Sequence, residues 1–213
     1  MSQRHKQHVR AGIVSAAAAL FAELGYEATT MAGVAERADS SVGNVYRYFA
    51  NKEELFAAVL PADFARDLQR RTRARIEALG DAKDIDQLDP GARYHILAGE
   101  LLDFSIANRE RVVILLGRGQ GTPFASYAQD FTKQLVRQAL AYLRRVWPVV
   151  PPSPALRFAL RRVYEGYLAS IAEAFVTFRG DEQIREAVSH LTAHHQGGLK
   201  RLFETAAIQR GQG

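Results

Sequence analysis

The chain has 213 residues, a formal charge of +5, 47% apolar and 24% charged residues. That make-up suits a globular protein, either one large domain or a small domain joined to a larger one. There is no cysteine, which excludes disulfides, thiolate metal sites and cysteine nucleophiles. No apolar run reaches the roughly 18 residues of a membrane helix. The basic opening MSQRHKQHVR leads into an alanine-rich stretch interrupted by Gly12, Ser15 and Glu23 rather than into a greasy export signal, so a cytoplasmic location is expected.

The pattern is helical throughout. Val9, Ile13, Ala17, Leu20 and Leu24 recur at helical spacing and predict a first helix that ends at a left-handed Gly25. Thr30 is placed to cap a short second helix carrying Val34, Ala35 and Ala38. After the turn Ala38-Asp39-Ser40, Ser41 is placed to cap a third helix from Val42 to Phe49. Asn51 followed by Glu54 forms a variant capping box that opens a fourth helix. Pro61 falls inside that helix, where a missing donor and a ring clash predict a kink or a restart. Three later starts pair a capping residue with proline: Asp89-Pro90, Thr122-Pro123 and Ser153-Pro154. They predict long helices ending near residues 117, 147 and 179, and Asp181 caps a last helix to about residue 209. Residues 147–152 read as a stiff connector. No stretch alternates with period two, so the fold class expected is all-α.

Three short helices bury little individually and must form one unit, with Leu20, Phe21, Leu24, Val34, Val45 and Phe49 as the expected core. Two of them, joined by a tight turn and packed on a longer first helix, make a helix-turn-helix. The first 55 residues hold six basic and six acidic side chains, so net charge does not mark this head as a nucleic-acid binder; placement must.

The residues Leu24-Gly25-Tyr26-x-x-Thr29-Thr30, Val34-Ala35, and Ser41-x-Gly43-x-x-Tyr46-x-x-Phe49-x-x-Lys52-Glu53-x-Leu55 run in one unbroken register. This stretch resembles the DNA-binding head of the TetR family of regulators. The resemblance implies a helix-turn-helix DNA-binding domain over residues 1–55. Residues 56–213 would form a larger helical effector-binding and dimerisation bundle.

The resemblance also implies roles. Thr30 and Ser41 stand at helix starts, where a hydroxyl and free amides meet phosphate. The third helix enters the major groove. Gly43 permits close approach, and Tyr46 offers its phenol to a phosphate or its ring to a sugar or thymine methyl. Val42, Asn44 and Arg47 read base edges. Lys52, in the first turn of the fourth helix, would face the backbone. The arm Arg4-His5-Lys6 would follow the backbone or enter the minor groove. Two features depart from the family's pattern. Asp39-Ser40 stands where glycine and a small apolar residue are usual, and Gly33 interrupts the second helix at about 1 kcal/mol relative to alanine.

The rest carries no motif of similar specificity. By the resemblance, the helices over 154–179 and 181–209 would build a four-helix interface in a homodimer, with Gly197-Gly198 allowing close approach. Their apolar residues run Leu160, Val163, Tyr164, Tyr167, Ile171, Phe175 and Ile184, Val188, Leu191, His195, Leu199, Leu202, Phe203; such stripes also fill a subunit core. Expected effector contacts are Leu97, Glu100, Leu101, Phe104, Asn108, Tyr127, Phe131, Tyr142, Tyr164 and Tyr167, whose tyrosines suit an aromatic or amphipathic molecule. Glu100 would contact the effector or pair with a buried arginine such as Arg161. His190, His194 and His195 have the spacing to share an ion, but no acid or thiol completes the set, so no metal is expected. No catalytic constellation, phosphate loop or cofactor motif is present.

The expected protein is a ligand-responsive repressor acting as a dimer on a near-palindromic double-stranded DNA operator, with a small-molecule effector and no membrane partner. Pro61 would belong to the hinge that couples effector to operator. The alternative is a helical small-molecule-binding protein or enzyme without DNA affinity.

Overall fold

A computed structural model describes residues 3–146 and 153–208. The connector at 147–152 and the expected helix end at Gln209 lie outside the described residues. Within them the chain is all-α, with no strand. It divides into two compact units, one of Met1–Asp67 with Asn108–Tyr127, the other of Leu68–Ala107 with Ala128–Gly213.

In the first unit, α1 (Gln3–Leu24) buries Ile13, Ala16, Ala17, Phe21 and Ala22. It stops at Gly25, whose φ of +83° suits a residue without Cβ. The Thr29 hydroxyl donates to the freed Gly25 carbonyl at 2.8 Å. α2 (Met31–Arg37) begins at Thr30, whose Oγ1 accepts from the Gly33 amide at 3.0 Å. Its end is a left-handed cap. The Ser40 amide donates to the Ala35 carbonyl at 2.9 Å and the Asp39 amide to Glu36 at 3.1 Å, while Asp39 takes φ +48°. That is the Schellman pattern, with aspartate where glycine is usual.

α3 (Val42–Tyr48) begins at Ser41, whose Oγ accepts from the Asn44 amide at 3.2 Å. α4 (Lys52–Val59) begins at Asn51, whose Oδ1 accepts from the Glu54 amide at 2.8 Å. The Glu54 carboxylate reaches back to the Ala50 amide at 2.7 Å, one residue earlier than in a standard capping box.

Pro61 gives a restart rather than a kink. α4 stops at Leu60 (φ −125°, ψ +79°) and α5 (Ala62–Glu77) begins afresh. The break leaves carbonyls at the end of α4 without helical partners. Arg111 fills one of these positions: its Nε donates to the Val59 carbonyl at 2.7 Å and its guanidinium lies 5.6 Å from the centre of the Phe64 ring. Arg111 sits on α7 (Arg109–Gly117), which packs against α1. Phe21, Tyr26 and Phe56 meet pairwise at 5.2–5.7 Å, in the offset and edge-on geometries aromatic rings favour. Of the expected core, Phe21, Val34, Val45 and Phe49 are buried. Leu20 is half-buried, and Leu24 is 55% exposed. Leu24 is the last residue of α1, and the chain reverses at Gly25 without covering it.

The second unit contains the rest of α5, a 3-10 turn (Ile85–Gln87), α6 (Arg93–Ala107), α8 (Tyr127–Val146), α9 (Pro154–Thr177) and α10 (Asp181–Ile208). Leu140, Leu143, Leu160, Phe175, Ile184 and Phe203 are among its buried residues. Lys200 pairs with Asp84 at 2.7 Å and Arg185 with Asp103 at 2.6 Å.

Of the three proline starts, only Ser153-Pro154 opens its helix as expected, with Ser153 Oγ accepting from the Leu156 amide at 3.1 Å. At Asp89-Pro90 the carboxylate accepts from the Gly91 amide at 2.7 Å, a local turn that delays α6 to Arg93. At Thr122-Pro123 the hydroxyl accepts from the Phe124 amide at 3.1 Å, and α8 waits until Tyr127. The single helix expected over 90–117 is two helices. They are divided at Asn108 (φ −127°, ψ +34°), whose side chain caps nothing and accepts from Arg111 at 2.7 Å.

Candidate nucleic-acid interface

α3 is fixed from within. Val45 is fully buried and Phe49, just past the helix, is 1% exposed. With these two anchored, helical geometry decides what faces outward. Val42 is 41% and Tyr46 51% exposed, although both are large and apolar in body. Gly43 and Arg47 are exposed as well, and a Cβ on Gly43 would meet nothing within 4 Å. Val42, Gly43, Tyr46 and Arg47 therefore share one open face of a short, capped helix.

Asn44 is half-buried, and its Nδ2 donates to Ser40 Oγ at 2.7 Å. That bond fixes the amide beside the turn. Arg47 lies over the Tyr48 ring, 5.2 Å from its centre. Thr30 and Ser41 are exposed at the starts of α2 and α3, each with its side-chain oxygen already holding a cap. The interruption at Gly33 has a local reason: a Cβ there would press on Thr30 Oγ1 at 3.3 Å, the atom that makes the cap.

Lys52 is placed differently from the expectation. Its ammonium donates to the carbonyls of Tyr26 at 2.8 Å, Thr29 at 3.0 Å and Glu27 at 3.3 Å. It also sits 4.4 Å from the centre of the Tyr26 ring. An ammonium has three donors, and all three are committed to the loop between α1 and α2. Lys52 is thus a tie that holds the start of α4 to that loop, half-buried rather than open to a phosphate. The expected arm is also different, because Arg4, His5 and Lys6 belong to α1 and are exposed on it. Two features were not foreseen. Arg10 lies over the Phe49 ring at 4.9 Å, and Arg37 is paired with Glu23 at 2.7 Å, so that Arg37 is already neutralised.

The expected effector residues are divided between the two units. Asn108 and Tyr127 belong to the first unit, and the Tyr127 hydroxyl donates to the Ala65 carbonyl at 3.3 Å. Leu97, Leu101 and Phe104 on α6, Phe131 and Tyr142 on α8, and Tyr164 and Tyr167 on α9 belong to the second. Glu100 is exposed, and Arg161 is exposed beside Glu165 at 4.0 Å, so the buried Glu100–Arg161 pair does not exist. The histidine group is split too. His190 and His194 are exposed, whereas His195 is buried, stacked on Tyr167 at 4.1 Å and edge-on to Tyr164 at 5.0 Å. Burial, and then the Arg75 charge, holds the His195 imidazole down to a pKa of about 4.

No helix among the described residues is long and apolar enough to cross a membrane. Residues 13–59, which contain α2, α3, their caps and α4, match the family described as bacterial regulatory proteins, tetR family. Over 66 residues the chain is 42% identical to the HTH-type transcriptional repressor KstR of Rhodococcus jostii, covering 31% of each chain. KstR of Mycobacterium tuberculosis is 35% identical over 92 residues, 43% of this chain and 38% of its own. The HTH-type transcriptional repressor Rv3405c of Mycobacterium tuberculosis is 36% identical over 114 residues, 46% and 59% of the two chains. The chain thus spans about a third of the length of the first two relatives. Among solved structures, a transcriptional regulator from Aquifex aeolicus superposes with a TM-score of 0.45 at 17% identity, over 87% of this chain and 98% of that one. Over residues 13–59, its head, the chain is similar to the tetR family of bacterial regulatory proteins.

Proposed function

We propose that this chain is a ligand-responsive transcriptional repressor that works as a homodimer on a near-palindromic operator. The observation that carries this is the open face of α3. A seven-residue helix, capped at its start and anchored inside by Val45 and Phe49, presents Val42, Tyr46 and Arg47 around a glycine that adds no bulk. Exposed apolar side chains beside a cation and a bare stretch of backbone suit a major groove. The ring of Tyr46 packs on sugar or thymine methyl, Arg47 reaches guanine or phosphate, and Gly43 lets the backbone close in. Asn44 reads adenine if it exchanges its bond to Ser40. The relatives named as repressors support the direction of regulation, and the cytoplasm is where such a protein meets its operator.

The head corresponds functionally to residues 1–55 and the body to 56–213. Dimerisation falls to α9 and α10. Their stripes divide in two: Leu160, Tyr164, Phe175, Ile184, His195 and Phe203 are buried within the chain. Val163, Tyr167, Ile171, Val188, Leu191, Leu199 and Leu202 are half-exposed. Phe158 is 60% and Val176 40% exposed, and a Cβ on Gly197 or Gly198 would meet nothing within 4 Å. These open apolar positions are available to a second copy. A two-fold dimer would place its recognition helices about one DNA turn, roughly 34–36 Å, apart. The restart at Pro61 is the proposed hinge between effector and operator.

The test is selection of genomic fragments by the full-length protein, with Tyr46→Ala alongside. A shared palindromic sequence enriched by the native protein and lost with the variant is the expected result. No enrichment at low salt, where phosphate contacts are strongest, would overturn the reading and leave a helical ligand-binding protein without DNA affinity.

A further inference from the structure

The second unit holds a half-buried arginine that no carboxylate among the described residues neutralises. Arg75, near the end of α5, has its Nε buried with no hydrogen-bond partner, and no carboxylate among the described residues lies within ion-pairing distance of it. Asp84, an acid elsewhere in this unit, is paired with Lys200. One arm of the guanidinium donates to the Tyr94 hydroxyl at 2.8 Å, and its carbon lies 4.8 Å from the centre of that ring. The same hydroxyl accepts from Gln196 Nε2 at 2.5 Å. Tyr94 is 5% exposed.

Counting donors and acceptors shows what is missing. The Tyr94 oxygen has two lone pairs and both are occupied by N–H donors, so its own proton is left to donate. Arg75 keeps Nε–H to donate, and the guanidinium has no acceptor of its own. The cluster is therefore rich in donors, poor in acceptors and positively charged. A buried donor without a partner is costly. A negatively charged acceptor would satisfy all of these at once, and a carboxylate matches the guanidinium fork. Beside the cluster His195 is stacked on Tyr167 and meets Tyr164 edge-on, with the Tyr167 hydroxyl already bonded to Thr192 at 2.8 Å. The imidazole of His195 is neutral at physiological pH, so it does not compete with Arg75 for the anion.

We propose that Arg75, Tyr94 and Gln196 bind the carboxylate of the effector, that the rings of Tyr164, His195 and Tyr167 receive its apolar body, and that Arg75 distinguishes an acid from its neutral analogue. The inference rests on the reading that the body senses a small molecule, and it narrows that molecule to aromatic or long-chain carboxylic acids. The acid would act on α5, the helix that starts immediately after Pro61.

The test uses the full-length protein with sodium phenylacetate, 1-naphthoate and decanoate, each against its primary amide, by titration calorimetry and thermal denaturation. At least one acid is expected to bind and raise Tm, with its amide at least tenfold weaker. Arg75→Met should lose that preference. Its ligand-free Tm should hold or rise, because it removes a charge that has no carboxylate partner among the described residues. Arg75→Lys, which keeps the charge without the fork, and Tyr94→Phe should bind the acid more weakly while folding normally. Acids and amides binding alike, no acid binding at all, or Arg75→Met losing Tm sharply while keeping its preference would each overturn the proposal. Operator enrichment without any response to acids would sink this inference alone. Acid binding without DNA enrichment would support the site and remove the regulator.

Discussion

Replacing Lys52 with methionine separates two accounts of this residue. Methionine keeps the length and apolar stem and removes the ammonium. In the structure that ammonium serves three carbonyls of the loop between α1 and α2, at 2.8, 3.0 and 3.3 Å, and stands over Tyr26. Hydrogen bonds from a charged donor contribute about 1.5–3 kcal/mol each, and an exposed cation–π contact about 0.5–1 kcal/mol. Lys52 is only half-buried, so water can replace part of what is lost. The longest of the three bonds is also the weakest by geometry. The net loss expected is about 2–3 kcal/mol, drawn mostly from the two shorter bonds. For a chain of this size each kcal/mol moves Tm by about 2–4 °C, so Tm should fall by roughly 5–10 °C. Thermal denaturation followed by circular dichroism measures it. A salt series of operator affinity supplies the second reading. Removing a true phosphate contact lowers the salt slope by about one, whereas losing a tie within the fold leaves the slope where it was. An unchanged Tm together with a reduced slope would refute the tie and return Lys52 to the DNA.

Asp39→Gly should raise Tm slightly, by about 0.5 kcal/mol of stability, because glycine takes the left-handed conformation that Asp39 now holds at φ +48°. Operator affinity should rise with it as a negative charge leaves the neighbourhood of α3; a drop in Tm would show that the Asp39 side chain holds the turn. His195 gives a pH signature. Its folded pKa lies at about 4, held down first by burial and then by Arg75, below the roughly 6.5 of a free histidine. The unfolded chain therefore takes up the proton first. The stability contributed by the neutral imidazole is complete above about pH 6.5 and is lost as pH falls toward 4, at most about 3 kcal/mol in all. Urea denaturation between pH 4.5 and 7 should show a steeper loss for the native protein than for His195→Gln. Parallel curves would mean that His195 is not held neutral.

The head was largely legible in its sequence because its signals are local. Thr30, Ser41 and Asn51 act on amides three residues ahead, and Gly25 and Asp39 set their own backbone angles. Such features need only the neighbouring residues, so spacing reveals them. The same holds for the outward face of α3, which follows once Val45 and Phe49 point inward. Where the sequence misled, long-range partners had decided the outcome. Lys52 looks like any lysine at a helix start until the loop 23–26 residues earlier supplies its carbonyls. Asn108 breaks the expected long helix and accepts a bond from Arg111, which also reaches back 52 residues to Val59.

Polar satisfaction explains why the body was harder to read than the head. In the head, the capping, turn and tie bonds mostly close within the chain, and they can be read as structure. Around Arg75 they do not close. Tyr94 accepts twice, Arg75 Nε has no acceptor, and no periodicity of apolar residues signals that imbalance. A stripe of tyrosines reads the same whether it lines a ligand site or fills a core. An arginine on a half-polar helix reads as solvated. Only the three-dimensional count of donors against acceptors distinguishes them. A core that served stability alone would have a carboxylate opposite Arg75, or methionine in its place. Under the proposal above, the acceptor for Arg75 Nε arrives from solution.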